Sequence, residues 1–151
     1  GAPIAGSDPS SLTVEKEGIL IRRSLNSTDL EVNDIAEMDV TIFYIGGYGS
    51  IQWIIVDIPI PPGFEFVVES LDRVVQKQPH VVRYDIVEIR RVAFIIDAME
   101  PGDMITFTIE IEVTSPIRAT LPAATVTAMY ATEVFGKTTA ETVTSRYDGN
   151  N

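Results

Sequence analysis

The chain of 151 residues contains no cysteine. That excludes disulfides, thiolate metal sites and thiol nucleophiles, together with an internal thioester in this stretch. It leaves the compartment open, because many secreted microbial proteins also lack cysteine. Histidine is almost absent, and His80 is the single copy. No spacing around it supplies the hydroxyl and the orienting group that a nucleophile–base set needs. After Pro79 it reads as a surface residue where a strand begins. No catalytic residue is therefore expected, and the chain is not read as an enzyme. Basic residues are scarce: 11 Lys and Arg stand against 22 Asp and Glu, a formal net charge of −11. Nucleic acid is excluded as a partner by that balance, and anionic membranes are repelled. The simplest meaning of the acidic surplus is solubility. No apolar run approaches the roughly 18 to 20 residues of a membrane span, so direct membrane insertion is not expected. The glycines Gly46-Gly47-Tyr48-Gly49 lack the Lys and following helix of a phosphate loop, and no cofactor motif is present.

What is present is a chain of strands. Apolar residues make up 45% of the sequence, enough for one domain with a full core. The expected organisation is a flexible lead over 1–11, one β-sandwich domain over 12–145 and a frayed tail over 146–151. Residues 12–16 and 19–25 are β-like, with Ile19, Ile21 and Leu25 on one face and Leu20 and Arg22 on the other. The cluster 26–29 reads as a turn, and Asn33-Asp34 as another before a strand from Met38 to Ile45. Ile51 to Ile58 is nearly continuously apolar, which predicts a central strand covered on both faces. Trp53 and Phe43 read as core. Met104 to Val113 alternates, with Ile105, Phe107, Ile109, Ile111 and Val113 inward and Thr106, Thr108, Glu110 and Glu112 outward. Strands are also expected over 81–88, 91–97, 125–132 and 138–145, with Pro116 and Pro122 bracketing a connection. Eight or nine short strands argue for an antiparallel β-sandwich.

One helix interrupts this pattern. Val56 to Phe64 runs into a corner at Pro59, Pro61 and Pro62, which cannot donate ladder hydrogen bonds. Beyond it, Val67, Val68, Leu71, Val74 and Val75 recur at helical steps. Glu69, Asp72, Arg73, Gln76 and Lys77 fill the other face, with Glu69 and Arg73 spaced as an i,i+4 pair. A short helix around 67–77 follows, closed by Pro79. The acidic residues Asp29, Glu31, Asp34, Glu37 and Asp39, and the turn residues Asp97, Glu100 and Asp103, offer oxygens of the kind calcium takes. They lack the spacing of a calcium loop, so a solvated face is expected and no metal site is assigned.

Asp57-Ile58-Pro59 with Pro62-Gly63-Phe64, then a helix, then His80-Val81-Val82-Arg83, resembles the C-terminal receptor-binding domain of the α2-macroglobulins. The likeness continues at Pro116-Ile117-Arg118, at Leu121-Pro122-Ala123-Ala124-Thr125-Val126, and at Tyr130 and Glu133. It spans about 12–145. The resemblance implies an all-β, jelly-roll-like or macroglobulin-like β-sandwich with one helix inserted on an edge. It also implies a parent that is a large secreted or surface-anchored protease inhibitor, whose trapping chemistry lies in other domains. This domain would be non-catalytic, extracellular or at the cell surface, and exposed when the trap closes. Its partners would be the other domains of the parent, with proteases or a cell-surface protein as further candidates. Vertebrate members are recognised by a receptor through two helix lysines four residues apart. Here Val68 or Glu69 and Asp72 or Arg73 stand at those places, and the basic pair Arg73 and Lys77 comes later in the helix. Arg73 and Lys77 are the candidate partner-binding residues, weighed against a plain solvated helix face. The acidic balance and missing cysteine fit a microbial relative.

Two other readings remain open from the residues. A spacer or adhesion module of a cell-surface protein would share the corner at Asp57 to Phe64 but would lack the helix. A sugar-binding or enzymatic sandwich would need an aromatic cleft, for which Tyr44, Tyr48 and Trp53 beside the glycine loop are the candidates.

Overall fold

Alternation of apolar and polar residues organises the molecule into packed sheets. The structure, a computed structural model, describes residues 18–147. The β-like stretch 12–16, the lead 1–11 and the last four residues of the expected tail lie outside these. Within them the chain forms β1 (Gly18–Leu25), β2 (Asp29–Glu31), β3 (Ile35–Gly46), β4 (Ile51–Pro59), β5 (Phe64–Phe66), α1 (Val68–Lys77), β6 (Val81–Val87), β7 (Arg91–Met99), β8 (Met104–Val113), β9 (Arg118–Leu121), β10 (Thr125–Ala128), β11 (Ala131–Lys137) and β12 (Glu141–Arg146).

Two sheets make the sandwich. One has the order β1-β3-β8-β5, the other β11-β10-β4-β7-β6. A smaller sheet, β2-β12-β9, stands beside them and contains the parallel pair β12–β2. The core is the layer between the large sheets. Ala36, Met38, Val40, Ile42 and Tyr44 of β3 are fully buried, as are Ile54, Val56 and Ile58 of β4. The Phe94 ring of β7 meets the Phe107 ring of β8 across the layer, with centroids 4.8 Å apart. β8 follows the expected alternation residue by residue, its five apolar positions inward.

Several expectations need correction. Twelve strands are present among the described residues, more than eight or nine. The extra ones are short. The connection between Pro116 and Pro122 contains β9, which a four-residue apolar pattern could not announce. The expected strand 125–132 is a hairpin, because the chain turns at Met129-Tyr130 and β10 and β11 pair with each other. β4 is central, yet only its inner face is wholly buried. Trp53 is not core: it is 42% exposed. The β4–β7 register skips it, pairing Gln52 with Ala98 and Ile54 with Ile96, and its φ is 55°. The register is the same on both sides of it, so it is the left-handed backbone at Trp53 that breaks the side-chain alternation and leaves Gln52 and Trp53 outward between the buried Ile51 and Ile54. Phe43 is half-buried on the outer face of β3. Tyr44 is buried, and its hydroxyl donates to the Gly49 carbonyl at 2.6 Å, fixing the glycine loop. It therefore offers no aromatic platform.

Candidate functional site

The helix is the feature that sets this sandwich apart, so the site is built from α1 outward. Val67 is its N-cap and gives no side-chain cap. The first turn is held instead by Ser70, whose hydroxyl donates to the Val67 carbonyl at 2.6 Å and accepts the Glu110 N–H at 2.9 Å. Ser70 is thus fully buried although polar, because both roles of its hydroxyl are used. The buried helix residues are Ser70, Leu71 and Val74, while Val68 is 45% exposed. The apolar stripe is therefore narrower than its sequence period suggested. Gln78 closes the helix, its N–H donating to the Val74 carbonyl, just before Pro79.

The helix lies between two sheet edges. β5 is so short that it pairs with β8 only over Ile111 to Val113. The earlier part of β8 would otherwise present open backbone on that side. α1 covers it: Val67 N–H donates to the Glu110 carbonyl at 2.9 Å, and Gln78 Nε2 donates to the Thr106 carbonyl at 2.6 Å. On its other flank the helix meets β6, where the Tyr84 hydroxyl donates to Asp72 Oδ1 at 2.6 Å. That bond, with burial and the charges of Asp72 and Glu69 behind it, pushes the Tyr84 phenol up to about 12. His80 Nδ1 lies 2.8 Å from Asp97 Oδ1, tying the exit of the helix to β7. Among the described residues the hydrogen-bond partner of that imidazole is the Asp97 carboxylate.

Between α1 and β8 runs a polar groove of about 310 Å³, lined by Arg73, Lys77, Gln78, Thr106, Thr108 and Glu110 among others. Arg73 and Lys77 thus share one side of the helix. Arg73 does not pair with Glu69; its Nη2 lies 3.8 Å from Glu110 Oε1 on β8. The sheet lies closer to that helix face than solvent-side geometry suggested, and Glu110 was read only as the wet face of its strand. Lys77 makes no ion pair within 4 Å among the described residues. Its ammonium is the free cation of the groove. Glu37 also reaches the groove from β3.

Most of the aspartates named from the sequence are held in local structure. Asp34 Oδ2 accepts the Glu31 N–H at 2.9 Å, and Asp39 Oδ1 accepts the Thr108 hydroxyl at 2.6 Å. Asp103 Oδ2 accepts the Glu100 N–H at 2.8 Å, and Asp29 pairs with Arg146. Among the described residues no group of three His, Asp or Glu could hold a metal ion. No helix among them is long and apolar enough to cross a membrane.

The comparisons agree with this geometry. The sequence model of a family described as A-macroglobulin receptor binding domain matches residues 50–141, the stretch from β4 to the start of β12 with α1 inside it. No curated protein matches the chain by sequence. Solved structures share the fold. Trypsin-activated α2-macroglobulin from Escherichia coli superposes with a TM-score of 0.72 at 16% identity, over 87% of this chain and 10% of that one. The native E. coli protein, from domain MG7 to the C-terminus, gives 0.70 at 14% identity over 87% of this chain and 24% of that one. Salmonella α2-macroglobulin reacted with methylamine gives 0.70 at 14% identity, over 87% and 9%. The chain therefore spans about a tenth of the length of the longer chains it matches.

Proposed function

The chain belongs to the A-macroglobulin receptor binding domain family, and from that membership we propose that it is a non-catalytic interaction domain of a larger protease-trapping protein. In this reading the parent is secreted or held at the cell surface. The domain packs against its neighbours until proteolysis rearranges the parent and then presents the α1 face. Proteases are bound by the parent, and the bait and thioester chemistry lies outside this stretch. The observation that carries the reading is the coincidence of the family match over 50–141 with an α1 that has an amphipathic, partly free outer face. The titles of solved relatives describe E. coli α2-macroglobulin activated by trypsin and by elastase, which is the behaviour proposed for the parent here. A helix inserted between the sheets counts against a plain spacer module.

Arg73 and Lys77 are the residues proposed to meet a partner once α1 is uncovered. Both side chains line the same groove, and one of them carries an unpaired charge. The test is lysine acetylation of the parent protein before and after trypsin treatment, read at Lys77 by mass spectrometry. Modification is expected to rise severalfold after proteolysis. No change would overturn the exposure model. The Arg73→Ala/Lys77→Ala double variant should keep its thermal midpoint within a few degrees, since exposed ion pairs contribute about 1 kcal/mol or less. Any partner captured after proteolysis should be lost with it, and an unchanged affinity would remove these two residues from the interface.

A further inference from the structure

The two outer faces of the sandwich differ in their exposed aromatics: Trp53, Tyr130 and Phe135 all lie on the side of β4, β10 and β11. An antiparallel sheet that faces water on one side carries polar residues there. The four-stranded sheet does so over most of its outer face, with Glu37, Asp39 and Thr41 outward on β3 and Thr106, Thr108 and Glu110 outward on β8, and departs from it at the row Leu20, Phe43 and Met104. The five-stranded sheet departs from it as well, and with exposed aromatic residues. Across its centre the register places Phe135, Thr127, Ile55 and Ile95 side by side on β11, β10, β4 and β7. Their strand neighbours Val126, Val134, Val56, Phe94 and Ile96 point into the core, so this row points out. Phe135 is 49% exposed. The row is uncharged over these four strands and ends at Arg83 on β6, which pairs with Ile95, itself 7% exposed.

The row is extended by a residue held in a costly conformation. With Ile51 and Ile54 both buried, the left-handed backbone at Trp53, φ 55°, leaves Gln52 and Trp53 on the solvent side. A left-handed φ is unfavourable for a bulky side chain, and such strain persists only where the surroundings hold it. Here the Trp53 carbonyl accepts the Met129 N–H at 2.9 Å, which also brings the β10–β11 turn beside it. That turn carries Tyr130, 80% exposed. Trp and Tyr exposed next to an uncharged apolar row are the composition of an interface centre rather than of a solvated sheet.

We infer that the outer face of the five-stranded sheet, from Trp53 and Tyr130 to Ile55 and Phe135, is the surface on which another folded domain of the same polypeptide sits. This rests on the proposed parent. The occupant is argued from length: the fold makes up 10% of the E. coli chain it superposes on, so nine-tenths of such a chain lies outside it. A neighbour tethered in the same chain is present at high effective concentration, so an interface of moderate area suffices. The strong net negative charge works against a second copy of the domain in that place.

The test uses the parent chain and two cysteine reporters, Thr127→Cys on this face and Thr41→Cys on the opposite outer face. Both threonines are half-buried within the domain, and the domain has no cysteine of its own. Maleimide labelling of each peptide is followed by mass spectrometry. Thr127→Cys is expected to label at least about tenfold more slowly than Thr41→Cys. Adding Phe135→Glu should bring the two rates within about twofold by prising the neighbour off. Equal rates in the unaltered parent would overturn the inference. So would protection of Thr127→Cys that disappears on dilution, since that occupant is a second molecule. A parent that ignores proteases but still protects Thr127→Cys would sink the trap reading and leave this interface standing.

Discussion

At the scale of single residues, one glycine carries an unusual constraint. A Cβ on Gly136 of β11 would lie 2.7 Å from the Ile19 carbonyl oxygen and 3.0 Å from Val126 Cγ1. The first contact is backbone, which cannot swing aside. Gly136→Ala is therefore expected to destabilise by about 1–3 kcal/mol, the usual range for overpacking. Urea denaturation would measure it, and an unchanged midpoint would refute the close approach of β1 and β11. Tyr84 carries a pH signature. Its folded value of about 12 lies above the ordinary phenol value of 10.0, because its hydroxyl is donated to Asp72. The neutral phenol is the form the fold prefers. Its contribution is complete below about pH 10 and is lost as pH rises toward 12. Tyr84→Phe should lose part of the alkaline fall in thermal midpoint over that window and match the parent sequence in shape below it. Identical alkaline profiles would mean the bond to Asp72 contributes nothing. Little at this scale was legible in the sequence. Trp53 in an apolar run reads as core, and only its left-handed backbone conformation, at one skipped pairing position, turns it outward.

The elements were far more legible. β8 and α1 declare themselves by period alone, because their outer faces are polar and their inner faces are not. Phe107 sits where the alternation puts it, 6% exposed against Phe94. Phe107→Ala should cost about 3–5 kcal/mol in chemical denaturation. A loss below 1 kcal/mol would mean that the layer between the sheets collapses around the gap. Short elements escaped the same logic. β9 and β10 have four residues each, too few for a period to show, and Met129-Tyr130 carries none of the usual turn residues. The candidate site was half visible. The pair Arg73 and Lys77 could be named from spacing, whereas the partner Glu110 lies 37 positions away in the chain and is joined by packing.

For the molecule as a whole, the acidic surplus sets its response to salt. A formal charge of −11 repels itself in the compact state. Screening shortens from about 30 Å at 0.01 M salt to about 8 Å at 0.15 M. The thermal midpoint should rise over that interval. A fall would show that specific pairs such as Arg91–Asp57 and Arg146–Asp29 outweigh general repulsion. The sandwich class could be inferred from the number and length of the apolar segments. The third sheet could not, since it joins β2 near one end of the domain to β12 near the other, and no local pattern encodes so distant a pairing.

That pairing also has a consequence in time. β12 is the middle strand of its sheet, with Asp29 to Glu31 on one side and Arg118 to Leu121 on the other. Neither neighbour has a sheet partner in this group until residues 141–146 arrive. During synthesis the chain emerges at about 5–20 residues per second, and its early strands must wait for its last one. The domain therefore completes its fold only when nearly all of it has left the ribosome.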